Sequence, residues 1–260
     1  MTKVIAIAMQ KGGVGKTTTT INLAAALNRK KKKVLVVDLD AQGNLSEHAG
    51  FDPETTSPTI YDLFKDEIDG VESAVTTAIY ETDEGFHILP SQPELSLIEL
   101  SLANALSRER ILATILDPIL SYYDYILIDC NPSLGLLVIN ALTMADSVLI
   151  PVQAEFLAAR GANMILATIE RIKRRKLNPF LEVEGVLLTM ADQRTLLTRD
   201  VISAIHAQLS AEHRIFKTII NRSVRFAESA AAGQSLIAYS PRSKGAKAYL
   251  ALAEEVESNG

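Results

Sequence analysis

The chain has 260 residues, of which 48% are hydrophobic and 22% are charged, and its formal net charge is -5. This composition excludes disorder, collagen and coiled coil as descriptions of the whole chain. The single cysteine excludes an intrachain disulfide and an intrachain metal site built from cysteines alone, and it favours a reducing, cytoplasmic compartment. The acidic balance argues against a protein that coats nucleic acid over its whole surface, although it is compatible with a local basic patch.

No segment of the sequence predicts export or membrane insertion. The N-terminal stretch MTKVIAIAMQKGG has too short an apolar run, and no small-residue cleavage site, for a secretory signal. A run of about 18 apolar residues, which a membrane-spanning helix needs, does not occur. We therefore expect a cytoplasmic protein without a membrane partner.

Short apolar strands alternate with helices along the chain. Strands are predicted at residues 3–9, 34–37, 86–89, 123–129, 148–152, 184–189 and 215–220. Helices are predicted at 17–29, 95–106, 108–120, 134–144, 158–176, 196–209 and 243–258, with shorter helical pieces near 61–64 and 71–78. The strands are apolar without alternation, so both sheet faces should be buried. This predicts an α/β fold with a mainly parallel, twisted sheet and helices on both faces. No repeat or long linker is visible, so residues 1–260 are expected to form one domain.

A glycine-rich loop lies between the first predicted strand and the first predicted helix. Residues 11–18 read KGGVGKTT, which fits the P-loop spacing loosely, and the position after a buried strand is the one that phosphate binding requires. Gly12, Gly13 and Gly15 leave the backbone N–H groups free to surround phosphate oxygens, and the following helix contributes its positive dipole end. A glycine-rich turn with capping threonines is the alternative interpretation.

The polar side chains of this loop have expected roles in binding ATP and Mg²⁺. Lys16 can reach the β- and γ-phosphates, the Thr17 hydroxyl can ligate Mg²⁺, and Thr18 can hydrogen-bond the α-phosphate. The predicted nucleotide-binding residues of the loop are Lys11, Gly12, Gly13, Val14, Gly15, Lys16, Thr17 and Thr18.

Three aspartates follow or end apolar strands. Asp38 and Asp40 stand in VVDLDAQGN, and Asp129 ends YDYILID. Because ligands bind at the carboxyl ends of parallel strands, these carboxylates are candidates for holding Mg²⁺ and for orienting an attacking water. Each one alone could equally be a strand-end cap or an ion-pair partner, but three of them beside a phosphate loop favour a metal site.

Lys11, at the start of the loop, is a cation that an ordinary P-loop does not need. With it, KGGVGKTT resembles the loop of the deviant Walker A ATPases of the ParA/MinD family. The segments VDLDAQGN, YDYILIDCNPSLG, VLIPVQAEFLAARG and NRSVRFAES resemble further ParA/Soj blocks in the same order. The chain departs from the family pattern at Ala41, Asn131, Asn221 and Ala230, where proline is common.

The resemblance implies a P-loop NTPase that works as an ATP-bound homodimer. In the family, the lysine at position 11 crosses the interface and contacts the partner's nucleotide, much like an arginine finger. Lys11, Lys16 and Asp40 are then catalytic, with Asp40 positioning the lytic water. Thr17, Asp38, Asp40 and Asp129 are the implied metal residues, with Asp38 supporting the metal shell and Asp129 acting through water. Met190 and Asn221 are implied to line the adenine pocket.

The resemblance also implies binding to double-stranded DNA without sequence preference. Arg194, Arg199, Arg222 and Arg225 lie in blocks where ParA/Soj proteins carry DNA-contacting arginines, and Arg222 and Arg225 are predicted to be one helical turn apart. Two other basic runs, residues 30–33 and 171–176, are weaker candidates. Both lie at the ends of predicted helices, where cations are common because they favour the helix dipole.

Sequence features separate the branches of the family. A nitrogenase-like iron protein needs two cysteines per subunit for its cluster, so the single Cys130 argues against that branch and is expected to be a core residue. The acidic ending AKAYLALAEEVESNG is unlike the basic amphipathic helix of MinD. The first strand begins almost at Met1, so no operator-binding helix-turn-helix domain is expected.

The short ParA/Soj type remains, with three functional alternatives. The first is a plasmid- or chromosome-partition ATPase whose slow hydrolysis is stimulated by a ParB-like partner that releases it from the nucleoid. The second is the same mechanism positioning a protein cargo such as a carboxysome, with an McdB-like adaptor. The third is a P-loop metabolic ligase, against which Lys11 argues.

Overall fold

The structure is a computed structural model, and it describes residues 2–155 and 158–259. One sheet contains the strands β1 (Lys3–Ile7), β2 (Val34–Leu39), β3 (Tyr80–Glu81), β4 (His87–Leu89), β5 (Tyr125–Cys130), β6 (Ser147–Gln153), β7 (Glu182–Ala191) and β8 (Ile215–Asn221). The strand order is β3-β4-β2-β5-β1-β6-β7-β8, and only the β3–β4 pair is antiparallel among the described pairings. The predicted mainly parallel α/β fold is confirmed.

Helices cover both faces of this sheet. They are α1 (Lys16–Arg29), α2 (Asn44–His48), α3 (Ile60–Asp69), α4 (Leu95–Leu102), α5 (Ile111–Leu116), α6 (Leu136–Met144), α7 (Ala158–Arg174), α8 (Leu196–Leu209), α9 (Arg225–Ala231), α10 (Leu236–Tyr239) and α11 (Lys244–Glu257). Two 3₁₀ helices, Val75–Ala78 and Asp117–Tyr122, complete the set. In the part of the chain that the structure describes, no helix combines the length and the apolar character needed to cross a bilayer.

The core has two layers, one on each face of the sheet. Successive residues of β1 alternate between them: Val4 and Ala6 pack in one cluster, and Ile5 and Ile7 pack in the other. Since strand side chains alternate between faces, this shows directly why the apolar runs carry no polar alternation. The parallel strands bring their carboxyl ends to one edge, where the loops after β1, β2 and β5 meet.

The structure differs from the prediction in several short elements. Residues 108–120, predicted as one helix, form α5 and then a 3₁₀ helix, because Pro118 lacks the backbone donor that an α-helix would use there. The helix predicted at 95–106 ends at Leu102. The short elements α2, β3, α9 and α10 were not predicted, since each has too few residues to show a hydrophobic period.

Candidate nucleotide site

The loop between β1 and α1 has the backbone shape that its glycines predict. Gly13 and Gly15 have φ values of 71° and 88°, in the left-handed region that favours glycine. A Cβ added to Gly12 or Gly13 would meet nothing within 4 Å, so this side of the loop is open. The Thr189 hydroxyl of β7 donates to the Val14 carbonyl at 2.8 Å. The loop is therefore anchored on one side and accessible on the other.

A cavity of about 570 Å³ lies against this open side. That volume is within the range of small-molecule sites. Its lining includes the loop residues Gly12, Gly13, Gly15, Lys16, Thr17 and Thr18, together with Asp40, Gln42, Asn44, Glu47, His48, Pro132, Met190, Ala230 and Ala231. Lys16, the first residue of α1, is the only lysine or arginine among these described lining residues, and it is largely buried.

Thr17 and Asp129 meet at the edge of the cavity. The Thr17 hydroxyl donates to the Asp129 carboxylate at 2.7 Å, and Asp129 is buried at the end of β5. Burial, followed by the charge of Asp38, raises the pKa of Asp129 to about 8, while the Thr17 hydrogen bond and Lys16 lower it. A hydroxyl and a carboxylate together suit Mg²⁺, which prefers oxygen ligands and keeps several waters.

Asp38 is fully buried and engaged by the chain itself. One of its oxygens accepts from the Ser46 hydroxyl at 2.7 Å and the Ser46 N–H at 2.9 Å, and the other accepts from the Asp40 N–H at 3.1 Å. Burial raises its pKa to about 6 despite these hydrogen bonds. The contacts show that Asp38 fixes the loop after β2 and the first turn of α2. Its expected part in the metal shell stays a prediction.

Asp40 begins the loop after β2 and is partly exposed to the cavity. Its carboxylate accepts from the Gln42 N–H at 3.0 Å, and its carbonyl accepts from the Gly43 N–H at 2.9 Å. This local turn keeps the Asp40 side chain at the mouth of the phosphate loop. Among residues 2–155 and 158–259, no group of three His, Cys, Asp or Glu forms a ready-made metal site, so a cation here would also need the Thr17 hydroxyl, waters or phosphate oxygens.

Lys11 is turned away from its own loop. Its Nζ lies 2.7 Å from a carboxylate oxygen of Glu155 and 3.4 Å from the Gln153 side-chain oxygen, at the end of β6. Both partners of the Lys11–Glu155 pair are about half exposed. The cation therefore stands at the surface of the protomer, held by a carboxylate that sequence reasoning did not identify.

Met190 and Asn221 are brought together as expected. They line a second cavity of about 400 Å³ beside Gly15 and Thr18, with Phe226 contributing an aromatic wall. Met190 has a φ of 52°, an uncommon value for a residue with a side chain, and such values are often found at ligand sites. The geometry is compatible with the implied adenine pocket.

The four predicted DNA-contacting arginines lie at the carboxyl ends of β7 and β8. All are exposed; Arg194 pairs with Asp192 at 2.8 Å and Arg225 with Glu228 at 3.8 Å. The prediction that Arg222 and Arg225 lie one helical turn apart is wrong. Arg222 follows β8, where its N–H donates to the Ala191 carbonyl, and α9 begins only at Arg225.

The two basic runs lie at the other edge of the sheet. Residues 30–33 precede β2, and residues 171–176 span the end of α7 and precede β7. They are thus separated from the four arginines by the length of the strands. The exposed apolar side chains that lie among those four arginines, which sequence reasoning did not identify, are those of Leu196, Leu197 and Val224.

Cys130 is buried in the core, as expected, and burial raises the pKa of its thiol.

Comparison with known proteins identifies the family. A model described as "AAA domain" matches residues 2–183, more than half of the chain. The sporulation initiation inhibitor protein Soj of Bacillus subtilis is 44% identical over 260 residues, covering 100% of both chains. The chain belongs to the ParA/MinD family of P-loop ATPases. The chromosome partitioning protein ParA of Caulobacter vibrioides is 40% identical over 256 residues, covering 98% of this chain and 93% of that protein.

Solved structures of several similar proteins have the same fold. Apo McdA of Cyanothece superposes with a TM-score of 0.85 at 26% identity, covering 100% of this chain and 99% of that chain. A cobyrinic acid a,c-diamide synthase from Mycobacterium smegmatis, with bound ATP analog and magnesium, gives a TM-score of 0.84 at 35% identity, covering 98% and 93%. The predicted family and P-loop ATPase fold are confirmed.

Proposed function

We propose that this ParA/MinD-family protein is a partition or positioning ATPase. Its ATP-bound form is a homodimer that binds DNA without sequence preference, and a partner protein stimulates slow hydrolysis and thereby releases it. The arrangement of Lys11, Lys16, Thr17, Asp40 and Asp129 around one edge of the sheet carries this proposal. The names of the Soj and ParA relatives, and the bound nucleotide of the synthase, support it.

Chain groups around the cavity would hold a Mg-nucleotide. The backbone N–H groups of residues 12–16 and the Lys16 ammonium would bind the phosphates, and the Thr17 hydroxyl and Asp129 would hold Mg²⁺. Bound there, Mg²⁺ supplies charge neutralisation on the phosphate oxygens. Asp40 would orient the attacking water at the cavity mouth, and Asp38 keeps the Asp40 backbone in place.

We expect unstimulated hydrolysis to be slow, because a single lysine lines the described nucleotide cavity. Among lysines and arginines, Lys16 alone lines the described cavity, because Lys11 pairs with Glu155 at the surface. In a dimer with the two nucleotides face to face, Lys11 would leave Glu155 and contact the partner's phosphates. The second cation of each site would then arrive only with the partner subunit, which makes assembly a condition for turnover.

Glu155→Gln should promote ATP-dependent dimerisation. The half-exposed pair contributes about 0.5 kcal/mol, and dimerisation would break two of them, so the dimerisation constant should rise about fivefold. Sedimentation equilibrium over a range of ATP concentrations measures this. Glu170→Gln, which removes another solvent-exposed pair, with Lys173 on α7, is the control and should have no effect. Unchanged or weaker dimerisation in Glu155→Gln would show that the pair does not oppose assembly.

DNA binding is assigned to the arginines beyond β7 and β8. Exposed guanidinium groups can contact phosphates without reading base sequence, as nonspecific binding requires. Asn221 and Arg222 both line the cavity beside the loop, so the basic edge adjoins the proposed nucleotide site. The overall charge of -5 makes a localised basic edge necessary for DNA binding.

Arg222→Ala and Arg225→Ala should weaken DNA retention, and ATP binding should be unchanged in Arg225→Ala, because Arg225, unlike Arg222, does not line the cavity assigned to adenine. Removal of one arginine–phosphate interaction should lower the salt dependence, the slope of log K against log salt, by about one unit. Fluorescence anisotropy with a duplex at several salt concentrations measures both quantities. Arg175→Ala, on the opposite sheet edge, is the control. Parent-like retention by both variants across the titration would place the DNA surface elsewhere.

A protein-cargo function is the second candidate, and the structural match to McdA favours it. The mechanism would be the same, with an adaptor on the cargo in place of a centromere-bound partner. A ligase is the third candidate function, because the structure also matches a cobyrinic acid a,c-diamide synthase. An assay of ATP hydrolysis with DNA and no small acid distinguishes the ATPase proposals from a ligase, which needs its acceptor.

A further inference from the structure

Another cavity, separate from the nucleotide cavity and from the one lined by Met190 and Asn221, lies at the amino ends of β2 and β4. Its volume is about 590 Å³, similar to that of the nucleotide cavity and within the range of small-molecule sites. The C-terminal end of α1 brings Lys31, Lys32 and Lys33 to one side of it. These lysines belong to the basic run that the proposed DNA surface leaves unexplained.

The charge of this lysine cluster is only partly compensated. Lys32 lies 3.6 Å from Glu257, which also pairs with Lys30. Within residues 2–155 and 158–259, no carboxylate oxygen lies within 4.0 Å of the ammonium of Lys31 or Lys33. Lys31 has a φ of 64°, a helix-end position where glycine or asparagine is usual. The Asp124 carboxylate accepts from the Lys33 backbone N–H at 2.8 Å. The described chain thus neutralises the cationic side of the cavity only in part.

Apolar and aromatic groups form the opposite side. Ile79, Ile119 and Tyr122 line it, and Tyr122 is 65% exposed. The Tyr123 hydroxyl lies 2.7 Å from His87 Nδ1. This hydrogen bond holds the His87 ring in place at the cavity wall. Burial raises the pKa of Tyr123.

Together with a neighbouring cavity, the site has one end lined by lysines and one end lined by glutamates. The neighbouring cavity has a volume of about 470 Å³ and shares Thr76, Ile119 and Tyr122 with the first, but its far end is lined by Glu67 and Glu72. An anionic group would be attracted to the lysine end and repelled from the glutamate end. A flat apolar body would lie between them, over Ile119 and Tyr122.

We propose that this cavity binds a small organic anion, with its carboxylate, sulfonate or phosphate at Lys31 and Lys33 and its flat apolar body over Ile119 and Tyr122. The site is separate from the nucleotide cavity and does not depend on the proposed DNA-positioning function. Such a ligand would contact the end of α1, the helix that begins at the phosphate loop.

The probe for this site is 8-anilinonaphthalene-1-sulfonate, which joins one anionic group to an aromatic body. The chain contains no tryptophan, so the background of indole emission is absent. We expect saturable fluorescence enhancement that Mg-ATP does not displace, and an affinity about tenfold lower in the Lys31→Glu/Lys33→Glu double variant. Lys176→Glu is the matched control, because Lys176 is an exposed lysine with a similar φ of 58° after α7. It should bind like the parent.

Two further arms keep the test decisive. N-phenyl-1-naphthylamine, which lacks the sulfonate, should bind the parent about tenfold more weakly than the anion and should bind the double variant with unchanged affinity. Thr76→Phe places a bulky ring at an exposed lining position, keeps the chain free of tryptophan, and should reduce binding without affecting the core, which circular dichroism checks. Equal affinity in parent and double variant, equal affinity of the neutral and anionic probes, or displacement by Mg-ATP would each overturn the proposal.

Discussion

Lys16→Ala should raise the dissociation constant for ATP by about 100-fold. Lys16 is the only lysine or arginine among the described residues lining the phosphate cavity, and it is largely buried at the start of α1. Removing a charge-assisted hydrogen bond of this kind costs about 3 kcal/mol, which corresponds to about two powers of ten in affinity. Isothermal titration calorimetry with a non-cleavable ATP analogue measures the change.

The control for Lys16→Ala is Lys65→Ala, which removes an exposed lysine from α3. Its nucleotide affinity should equal that of the parent. Because Lys16 also lowers the pKa of the buried Asp129, the thermal unfolding of both variants should be followed, to separate a defect in binding from a defect in folding. Full ATP affinity in a folded Lys16→Ala protein would contradict the assignment of the loop.

Asp40→Ala should lower the rate of ATP hydrolysis by about 10²–10⁴-fold and leave nucleotide binding intact. A carboxylate that orients or activates the attacking water contributes a factor of this size. Asp40 lines the cavity but accepts hydrogen bonds only from its own loop among the described contacts, so its removal should leave the fold in place. Phosphate release under saturating ATP measures turnover, and calorimetry measures binding.

Asp52→Ala is the matched control for Asp40→Ala. Asp52 also accepts hydrogen bonds within its own turn, from Glu54 and Thr55, but it does not line the cavity. Its turnover should equal that of the parent. Parent-like turnover in Asp40→Ala would mean that the lytic water is positioned by another group.

Local sequence predicted the parts of the site that depend on neighbours in the chain. The loop glycines, Lys16 and Thr17 stand in one segment, and Asp129 ends an apolar strand, so a parallel sheet places them at one edge. The 2.7 Å contact between Thr17 and Asp129 is a direct consequence of this topology. The four arginines were instead identified from the resemblance to ParA/Soj blocks, and the structure places them beyond β7 and β8, at that edge.

Contacts between distant segments could not be predicted in this way. The Lys11–Glu155 pair joins residues 144 positions apart, and no periodicity marks Glu155 as its partner. Asp38 resembles a metal ligand in sequence, but the structure shows its oxygens occupied by Ser46 and the Asp40 backbone. Arg222 was misplaced because helix α9 is only seven residues long and is preceded by a turn that holds Arg222 to β7.

The most direct test of the central claim is the mass of the Asp40→Ala protein in multi-angle light scattering with Mg-ATP. The account predicts a dimer with ATP and a monomer of 28.3 kDa without it, and a monomer in both conditions when Lys11→Ala is added. A dimer that forms equally well without Lys11, or a monomer at saturating ATP with Lys11 present, would contradict a lysine shared between two nucleotide sites.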